Sequence, residues 1–334
     1  MQSELENLKR RFPLIDYLQR HHWVARKVGC RQEYVGLCPL HVESHPSFYV
    51  NAGKNLFYCH GCGRGGDLIR FVQLYFHLPF RDSVIHLKQE LGLPPPADDE
   101  LLNDAVSFYQ HQLHRHDEAV AYLEQRGLHD AEIIGQLRIG YAPGGNLRRH
   151  LAALGYSSDH ALRIGLLNQQ GRDSFYRRIV FPCPDPSRPI NLYGRSIGPG
   201  LHAHRFLSRS KGGLFAWDSI RSFPMVILVE GLFDLAVLWQ AGFRNTTCGF
   251  GTHLTQTQFA QLCDNLDRHV RIAFDSDPNG AGQDAAFTLA QRLQHAGLTA
   301  RIVELPEGQD PNSYFAAGAT TTDFDFYLRQ ARFP

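Results

Sequence analysis

Apolar residues in the last third of the chain form short continuous runs, and longer stretches with apolar residues at helical spacing separate these runs. A short run rich in β-branched residues is typical of a strand that is buried on both faces of a parallel sheet. Strands that alternate with helices predict a parallel α/β sheet with right-handed crossovers. The predicted strands and helices are, in order, Met225–Val229, Leu232–Ala241, Thr246–Gly249, Thr255–Asn265, Val270–Phe274, Gly280–His295 and Ala300–Glu304.

The first two thirds of the chain have a different pattern, which predicts short helices and antiparallel strands. Helical apolar spacing occupies residues 5–20, with a break at Pro13. A strand pair, Ser47–Asn51 and Asn55–Tyr58, is predicted to turn at Ala52-Gly53-Lys54. Further helices are predicted at Leu68–Tyr75 with Asp67 as its N-cap, at Arg81–Leu91, within Leu101–Arg126, and at Ala131–Leu137, Leu147–Leu154 and Asp159–Ile164; Gly140–Gly145 is predicted as a loop, and Phe175–Pro182 and Ile190–Ile197 as strands.

A proline-rich and acidic stretch, Leu93–Glu100, interrupts the helical pattern. Such a composition is typical of a stiff, extended linker. We therefore predict an N-terminal domain over residues 1–93 and a linker over residues 94–100. The change to alternating strands and helices divides the rest into a domain over residues 101–222 and another over residues 223–334.

Carboxylates follow two of the predicted parallel strands at the point where each strand ends. Glu230 follows one apolar run, and Asp275 and Asp277 follow another. Ligands of open α/β sheets bind just beyond the carboxyl ends of the strands. Crowded carboxylates repel one another unless a cation lies between them, and Mg²⁺ prefers oxygen ligands. We therefore predict a magnesium site here, with Asp310, at a later strand exit, as a further candidate; ordinary solvated strand-end acids are the alternative.

Cysteine and histidine residues occur in two short motifs on either side of the predicted strand pair. Two such knuckles supply four ligands for one tetrahedral, structural Zn²⁺. His45, His60 and Cys30 are competing ligands, but His60 lies between two ligands in the sequence, where its side chain would point away. Four unligated residues in an ordinary core are the alternative. The predicted zinc ligands are Cys38, His41, Cys59 and Cys62.

The composition and the charge distribution narrow the class of protein. The apolar content of 43% is ample for packed cores. No run of about 18 apolar residues suggests a membrane span, and the acidic N-terminus lacks the apolar core of an export signal, so we expect a cytoplasmic protein. The net charge is only +1, but residues 138–221 contain 13 Arg or Lys, four Asp and no Glu, whereas the remainder sums to −8. This distribution favours a confined track for a polyanion over a solvated basic surface, which is the alternative.

Cations and hydroxyls cluster just before the predicted parallel sheet, between Arg205 and Lys211. Such residues are typical of phosphate contacts. In the predicted strand pair, Phe48 is expected in the core, and Tyr49 and Tyr58 are surface candidates for stacking on single-stranded bases. The candidate contacts to nucleic acid or nucleotide are Arg178, Arg195, Arg205, Arg209 and Lys211.

Taken in order, these motifs resemble the bacterial replicative DNA primases of the DnaG type over nearly the whole chain. The CHC2-type zinc ribbon of that family is similar to Gly36–His41 and Phe57–Gly63. Its Toprim fold, a Rossmann-like metal-binding module shared with topoisomerases, is similar at Glu230–Asp234, Gly251-Thr252, Asp275–Asp277 and Gly308–Pro311, and the middle of the chain is similar at Tyr122–Leu128, Ile139–Pro143 and Arg178–Pro182.

The resemblance implies a multi-domain α/β protein with a DNA-binding zinc ribbon, a basic α+β subdomain and a Toprim catalytic core. It implies a DNA primase, which is a DNA-directed RNA polymerase that makes short RNA primers from NTPs on single-stranded DNA. The cofactors would be one structural Zn²⁺ and two or more catalytic Mg²⁺ or Mn²⁺. Glu230, Asp275 and Asp277 would hold the catalytic metals, with a general acid or base role as the alternative for Glu230. Asp234 would orient a metal-bound water or a metal ligand, or it would serve as a first-turn residue of a helix.

Two other functions remain open, a Toprim nuclease that uses the same carboxylates and a non-catalytic single-strand binding module derived from a primase.

The sequence departs from the family at Arg205–Ser208, where the family has Lys-Tyr-Leu-Asn, at Asn312, where it has Asp, and in an Asp-x-Asp loop about two residues longer. The chain stops soon after the Toprim core, without the helical and helicase-binding domains of replicative primases. We therefore expect a truncated, monomeric, nucleoid-associated form from a mobile element or with an accessory role. Its partner would be a replicative helicase or a mobile-element replication protein.

Overall fold

The computed structural model describes residues 9, 12–29, 32–90, 97–198, 200–276 and 280–334, and for residues 81, 82, 85, 88 and 89 it describes only the backbone. The chain divides into two compact units, Met1–Ala97 with Arg149–Ser157 and Asp98–Arg148 with Ser158–Pro334. Within the described ranges, no helix is both long and apolar enough to cross a lipid bilayer. The domain boundaries predicted at residues 93, 100 and 222 stay predictions.

A five-stranded antiparallel sheet is the framework of the first unit. The predicted strand pair is confirmed as two neighbouring strands, with Phe48 opposite Cys59. The sequence pattern does not predict the other three strands, since they are short and lack a regular alternation of buried and exposed residues. In sheet order the strands are β1 (Ala25–Val28), β2 (Glu33–Gly36), β3 (Phe48–Asn51), β4 (Leu56–Cys59) and β5 (Gly65–Gly66).

The core of the first unit is aromatic. Phe48 is fully buried, as predicted, and its ring centroid lies 5.0 Å from that of Phe57 and 6.1 Å from that of Phe71. The predicted N-cap is confirmed, because the Asp67 carboxylate accepts a hydrogen bond from the N–H of Arg70. The helical spacing predicted over residues 5–20 is confirmed from Leu14 onward, and residues 5–8, 10 and 11 lie outside the described residues. The helices are α1 (Leu14–Arg20), α2 (Leu68–Phe76) and α3 (Phe80–Glu90).

The second unit contains an antiparallel four-stranded sheet whose first strand corrects a prediction. Gly140–Gly145 was predicted as a loop, but Gly140–Ala142 is a buried strand that pairs with the next strand. The glycine that suggested a loop permits close packing instead, because a Cβ at Gly140 would lie 2.5 Å from the backbone of Tyr109. The strands, in sheet order, are β6 (Gly140–Ala142), β7 (Arg178–Cys183), β8 (Asn191–Ser196) and β9 (His204–Phe206).

The predicted parallel α/β sheet is confirmed in the last third of the chain. All three pairs of neighbouring strands are parallel. The two central strands are buried along most of their length, as expected for strands covered on both faces. The order across the sheet is β11 (Thr246–Cys248), β10 (Met225–Val229), β12 (His269–Ala273) and β13 (Thr299–Ile302).

The first helix of the second unit begins earlier than predicted. Asp98–Glu100 was predicted as the end of an extended linker, but it forms the first turn of a helix, where carboxylates are favoured by the helix dipole. Pro94–Pro96 lies outside the described residues. The helices that follow in the chain are α4 (Asp98–Leu113), α5 (Asp117–Gln125), α6 (Ala131–Gln136), α7 (Leu147–Ala153), α8 (Ser158–Arg163), α9 (Trp217–Ile220), α10 (Leu232–Gln240), α11 (Gln256–Leu262), α12 (Ala281–His295), α13 (Pro311–Ala316) and α14 (Thr321–Gln330), and of these α7 belongs to the first unit from Arg149 onward.

A buried carboxylate, Asp173, joins α4 to the segment before β7. The hydroxyl of Tyr109 donates to Asp173 Oδ1 at 2.9 Å, and the N–H of Phe175 donates to the same oxygen at 2.8 Å. Oδ2 of Asp173 is buried without a hydrogen-bond partner among the described residues. Burial raises the pKa of Asp173 to about 6, although both hydrogen bonds and the charge of Arg205 oppose this. The ionised carboxylate is therefore less favourable in the folded protein than in the unfolded chain.

We expect Asp173→Asn to change how stability depends on pH. The carboxyl group is protonated in both states below about pH 3, and stability is lost as the pH rises from the ordinary pKa of about 4 through the raised pKa of about 6. The free energy of unfolding of the wild type, relative to that of the variant, should therefore fall by roughly 2–3 kcal/mol between about pH 4 and pH 8. Urea unfolding at several pH values measures this difference. Asp159→Asn, at an exposed position, is the matched control, and a difference that stays constant with pH would contradict the expectation.

Candidate active site

The carboxyl ends of β10 and β12 bring together the residues that follow these strands. The Oε1 atom of Glu230 accepts a hydrogen bond from the N–H of Asp275 at 3.1 Å. The backbone oxygen of Glu230 accepts a hydrogen bond from the N–H of Gly251 at 2.9 Å. Glu230 and Asp275 therefore meet at one edge of the sheet, as the parallel arrangement predicts. Asp277, the third predicted acid, lies outside the described residues.

The carboxylates of Asp234, Asp275 and Asp310 form a cluster, in which one oxygen atom from each residue lies within 4.8 Å of the others. Asp234 is the third residue of α10, and its Oδ2 atom accepts the N–H of the N-cap residue Gly231 at 3.2 Å. Its Oδ1 atom accepts the N–H of Asn312 at 3.1 Å. The first-turn position predicted for Asp234 is thus observed, and the same carboxylate belongs to the cluster. Glu230 lies in the same cleft but not in this set of three.

Burial and electrostatic repulsion both disfavour the ionised form of Asp234 in this cluster. Burial, followed by the charges of Asp310 and Asp275, raises the pKa of Asp234 well above its ordinary value, although two backbone N–H groups oppose the rise. A cation between the carboxylates would remove this repulsion. The donors are all oxygen atoms, which is the set that hard divalent cations prefer. The residues present therefore fit a divalent metal ion.

Backbone contacts hold the two acidic loops against each other. The N–H of Ser276 donates to the oxygen of Gln309 at 3.0 Å, and the N–H of Gly308 donates to the oxygen of Ser276 at 2.7 Å. A Cβ at Gly282, in the first turn of α12, would lie 2.2 Å from the backbone oxygen of Asp275. The position of Asp275 therefore depends on contacts with both α12 and the loop before α13.

Three cations line the same cleft, of about 660 Å³, as the acidic residues. Arg126 donates to the Tyr122 hydroxyl at 3.3 Å and to Asn312 Oδ1 at 3.2 Å. Arg195 donates to the same Tyr122 hydroxyl at 3.3 Å, and Lys211 donates to a backbone oxygen at 3.5 Å. These acceptors are uncharged, and no described carboxylate forms an ion pair with any of the three cations. The cleft therefore has an acidic and a basic set of lining residues, called here its acidic wall and its basic wall, and no described residue of one set forms an ion pair with the other.

The predicted cations lie in different places. Arg195 and Lys211 line the acidic cleft, whereas Arg178 and Arg205 line a second cavity of about 790 Å³. Arg178 is buried, and its Nη1 atom donates to the backbone oxygen of His202 at 2.7 Å, which favours a structural role over the predicted contact with nucleic acid. Arg209 pairs with Asp98 at 3.1 Å, outside both cavities. Arg126 was not predicted as a site residue, although it lies in the Tyr122–Leu128 motif that carries part of the family resemblance.

The four predicted zinc ligands come together in the first unit. One sulfur or nitrogen atom from each of Cys38, His41, Cys59 and Cys62 lies within 4.8 Å of the others. Backbone N–H groups donate to sulfur in each knuckle, from Leu40 to Cys38 at 3.4 Å and from Cys62 to Cys59 at 3.5 Å. Burial and the neighbouring thiols raise the pKa of Cys38 to about 12. A cation that accepts thiolate sulfur would remove this crowding, so the residues fit one tetrahedral zinc ion.

The histidine of this cluster is oriented by a carboxylate. His41 Nδ1 lies 3.9 Å from Cys59 Sγ, and its Nε2 atom lies 3.3 Å from Glu43 Oε2. A carboxylate on the outer nitrogen of a ligating histidine is typical of zinc sites. His60 instead packs its ring between Tyr49 and Tyr58, at centroid distances of 5.2 Å and 5.0 Å. The competing ligand His60 therefore points away, as predicted, and it forms part of a partly exposed aromatic surface.

Comparison with known families assigns each part of the chain. Residues 1–101 match the CHC2 zinc finger family. Residues 108–210 match the N-terminal domain of the DNA primase catalytic core. Residues 227–315 match the Toprim-like family. The matches follow one another in chain order and include both clusters of candidate ligands.

Curated relatives extend this similarity over most of the chain. The DNA primase of Aquifex aeolicus is 32% identical over 94% of this chain and 66% of its own length. The DNA primase of Myxococcus xanthus is 31% identical over 94% of this chain and 56% of its own length. The chain thus spans between about half and two thirds of the length of these relatives.

Solved structures agree with this result. A crystal structure of the Aquifex aeolicus primase, with its zinc-binding and RNA polymerase domains, covers 98% of this chain and 85% of that chain, with 29% identity and a TM-score of 0.60. A DnaG primase catalytic domain bound to single-stranded DNA covers 70% of this chain and 81% of that chain, with 25% identity and a TM-score of 0.59. The chain therefore belongs to the family of bacterial DnaG-type DNA primases.

Proposed function

We propose that the protein is a DNA primase that synthesises short RNA primers on a single-stranded DNA template. The observation that carries this proposal is the cleft in which the carboxylate cluster faces Arg126, Arg195 and Lys211. Carboxylates that hold divalent cations and cations that hold phosphates are the two requirements of nucleotidyl transfer. The relatives named above, which are DNA primases, support the same reaction.

The residues of the cleft would have different roles in this reaction. Asp234, Asp275 and Asp310 would hold Mg²⁺ or Mn²⁺, with Asp277 as a further ligand. Glu230 would keep Asp275 in place through the hydrogen bond that its carboxylate accepts. Bound divalent cations would supply activation of the attacking 3′-hydroxyl and stabilisation of charge on the departing pyrophosphate. The three cations of the opposite wall would bind the triphosphate of the incoming NTP.

The template would contact other surfaces of the chain. Arg205 lines the second cavity with Arg148 and Arg172, which together offer positive charge for a DNA backbone. In the first unit, one structural Zn²⁺ would hold the ribbon in shape, and Tyr58, which is exposed, would stack on template bases beside His60. The solved relative bound to single-stranded DNA supports this choice of template. We also infer that the protein acts as a monomer in the bacterial cytoplasm, beside a helicase or a mobile-element replication protein.

Two other functions are separated from priming by their products. A Toprim nuclease would cut DNA with the same carboxylates, and a binding module would hold single-stranded DNA without metal-dependent synthesis. The cations of the cleft favour synthesis, because a triphosphate needs more charge compensation than the phosphodiester that a nuclease cuts. Incubation with labelled NTPs, unlabelled single-stranded DNA and Mg²⁺ or Mn²⁺ distinguishes the three.

We expect Asp275→Asn to lower primer synthesis by at least about 100-fold, because the amide removes one charge from the proposed metal site. Short labelled RNA products on a denaturing gel measure the effect. Asp284→Asn, on the exposed side of α12, is the control and should synthesise primers at the wild-type rate. Equal synthesis by Asp275→Asn and the wild type would contradict the assignment, and cleavage of the template without RNA products would favour the nuclease.

A second prediction concerns Gly282. A methyl group at this position would lie 2.2 Å from the backbone oxygen of Asp275 and 3.2 Å from Glu230 Oε1, so Gly282→Ala should move the acidic loop. We expect binding of Mn²⁺, measured by electron paramagnetic resonance, to weaken by roughly 10-fold or more. Gly135→Ala, where a Cβ would meet nothing within 4 Å, is the matched control. Unchanged Mn²⁺ binding in Gly282→Ala would show that the loop tolerates the displacement.

A third prediction concerns the zinc cluster. Cys59→Ser should remove the bound zinc, because the hydroxyl replaces a thiolate ligand at the centre of the four-residue set. Metal analysis of the purified protein should give about one zinc per wild-type chain and much less in the variant. Cys263→Ser, at a cysteine outside the cluster, should keep the wild-type content. A variant of Cys59 that retains zinc would contradict the ligand assignment.

A further inference from the structure

Three side chains in the basic wall of the cleft are linked by hydrogen bonds, and the donor and acceptor of each bond can be assigned. Arg195 Nη1 lies 2.8 Å from His204 Nε2, and His204 Nδ1 lies 2.9 Å from the Tyr193 hydroxyl. Arg195 and Tyr193 lie on β8, and His204 lies opposite Arg195 on β9. All three residues line the cleft that contains the carboxylate cluster.

The proton positions in this chain follow from the chemistry of arginine. A guanidinium group only donates hydrogen bonds, so His204 Nε2 must accept from Arg195 through its lone pair. The imidazole is then neutral, and its proton lies on Nδ1. The Nδ1–H group therefore donates to the oxygen of Tyr193, and the hydroxyl proton of Tyr193 remains available. Arg195 also donates a hydrogen bond to that hydroxyl oxygen, and no described residue accepts the hydroxyl proton.

The surroundings of His204 and Tyr193 favour a neutral imidazole and a protonated phenol. Burial, and then the charges of Arg195, Arg178 and Arg126, lower the pKa of His204, which favours the neutral imidazole. Burial raises the pKa of Tyr193 to about 12, although the charge of Arg195 opposes this, so the phenol keeps its proton. The Tyr193 ring is held between aromatic neighbours, with centroid distances of 5.1 Å to Phe206 and 6.1 Å to Phe181. Tyr193 is thus a fixed hydrogen-bond donor in the cleft wall.

We propose that the hydroxyl of Tyr193, oriented by His204, donates a hydrogen bond to a phosphate oxygen of the nucleoside triphosphate bound in this cleft. The proposal rests on the proposed function, which places a triphosphate between the two walls. Phosphate is the favoured acceptor because Arg126, Arg195 and Lys211 gather negative charge at the same wall. Tyr193 is then a substrate-binding residue, and His204 is a positioning residue that acts through Tyr193 and Arg195.

The first test compares Tyr193→Phe with the wild type by displacement of a fluorescent ATP analogue in the presence of Mg²⁺. The competitors are ATP, inorganic tripolyphosphate and adenosine. The variant should bind ATP and tripolyphosphate roughly 10-fold more weakly and adenosine as the wild type does. Tyr327→Phe, at a tyrosine that does not line the cleft, is the matched control. Thermal melting of each variant checks that the protein stays folded when the hydroxyl is removed and the ring remains.

The second test uses the donor and acceptor roles that His204 has between Arg195 and Tyr193. In His204→Gln, the amide oxygen still accepts from Arg195 and the amide nitrogen still donates to Tyr193, so triphosphate binding should stay within about 3-fold of the wild type. His204→Leu removes both hydrogen bonds and should weaken binding as Tyr193→Phe does. A role in packing alone would give the opposite order, because leucine fills the space of the ring without its polarity.

The outcomes separate this proposal from the proposed function. Weaker binding of ATP with unchanged binding of tripolyphosphate would place the contact on the sugar or the base and overturn the proposal. Unchanged binding of both ligands would overturn it as well, while primer synthesis by the wild type would leave the proposed function intact. A wild-type protein that binds no triphosphate and makes no primers would overturn both.

Discussion

The burial of Asp234 beside two further carboxylates is the constraint around which the acidic cluster of the second unit is built. The parallel sheet places the ends of β10 and β12 side by side, so Asp275 meets the acids at the starts of α10 and α13. The carboxylate of Asp234 is compensated by backbone N–H groups, one at each of these two helix N-termini. Helix N-termini carry partial positive charge, which reduces the repulsion without neutralising it. The compensation is incomplete, since the pKa of Asp234 stays well above its ordinary value, and a divalent cation would complete it by favouring the ionised carboxylate.

The cations of the basic wall are also held by uncharged groups. Guanidinium groups held by carboxylates would lose much of their attraction for phosphate, but Arg126 and Arg195 are held by the hydroxyl of Tyr122. Neutral acceptors fix the geometry of a cation and leave its charge available. Each wall is thus organised by uncharged groups, and the opposite charges remain for the ligands that enter between them. This arrangement is electrostatic preorganisation, in which the orientation of the charges is set before any substrate binds.

Features that depend on local sequence were predicted well. The apolar runs of β10 and β12, the N-cap at Asp67 and the two knuckles of the zinc cluster all follow from residue spacing. Features that depend on distant partners were not. In strand β6, Gly140 packs against the backbone of Tyr109, and Arg126 is held in the cleft by its hydrogen bond to Asn312. Neither contact is visible in the sequence near the residues concerned, so β6 was predicted as a loop and Arg126 was missed.

The pairing of Ser276 with Gly308 and Gln309 also bears on which substitutions the position of Asp275 tolerates. Asp275 is held on one side by this pairing and on the other by the approach of Gly282 in α12. The hydrogen bonds of the pairing join backbone atoms, so they do not depend on which side chains the paired residues carry. Side chains in this pairing can therefore change while Asp275 keeps its position, whereas any side chain at residue 282 would meet the backbone of Asp275.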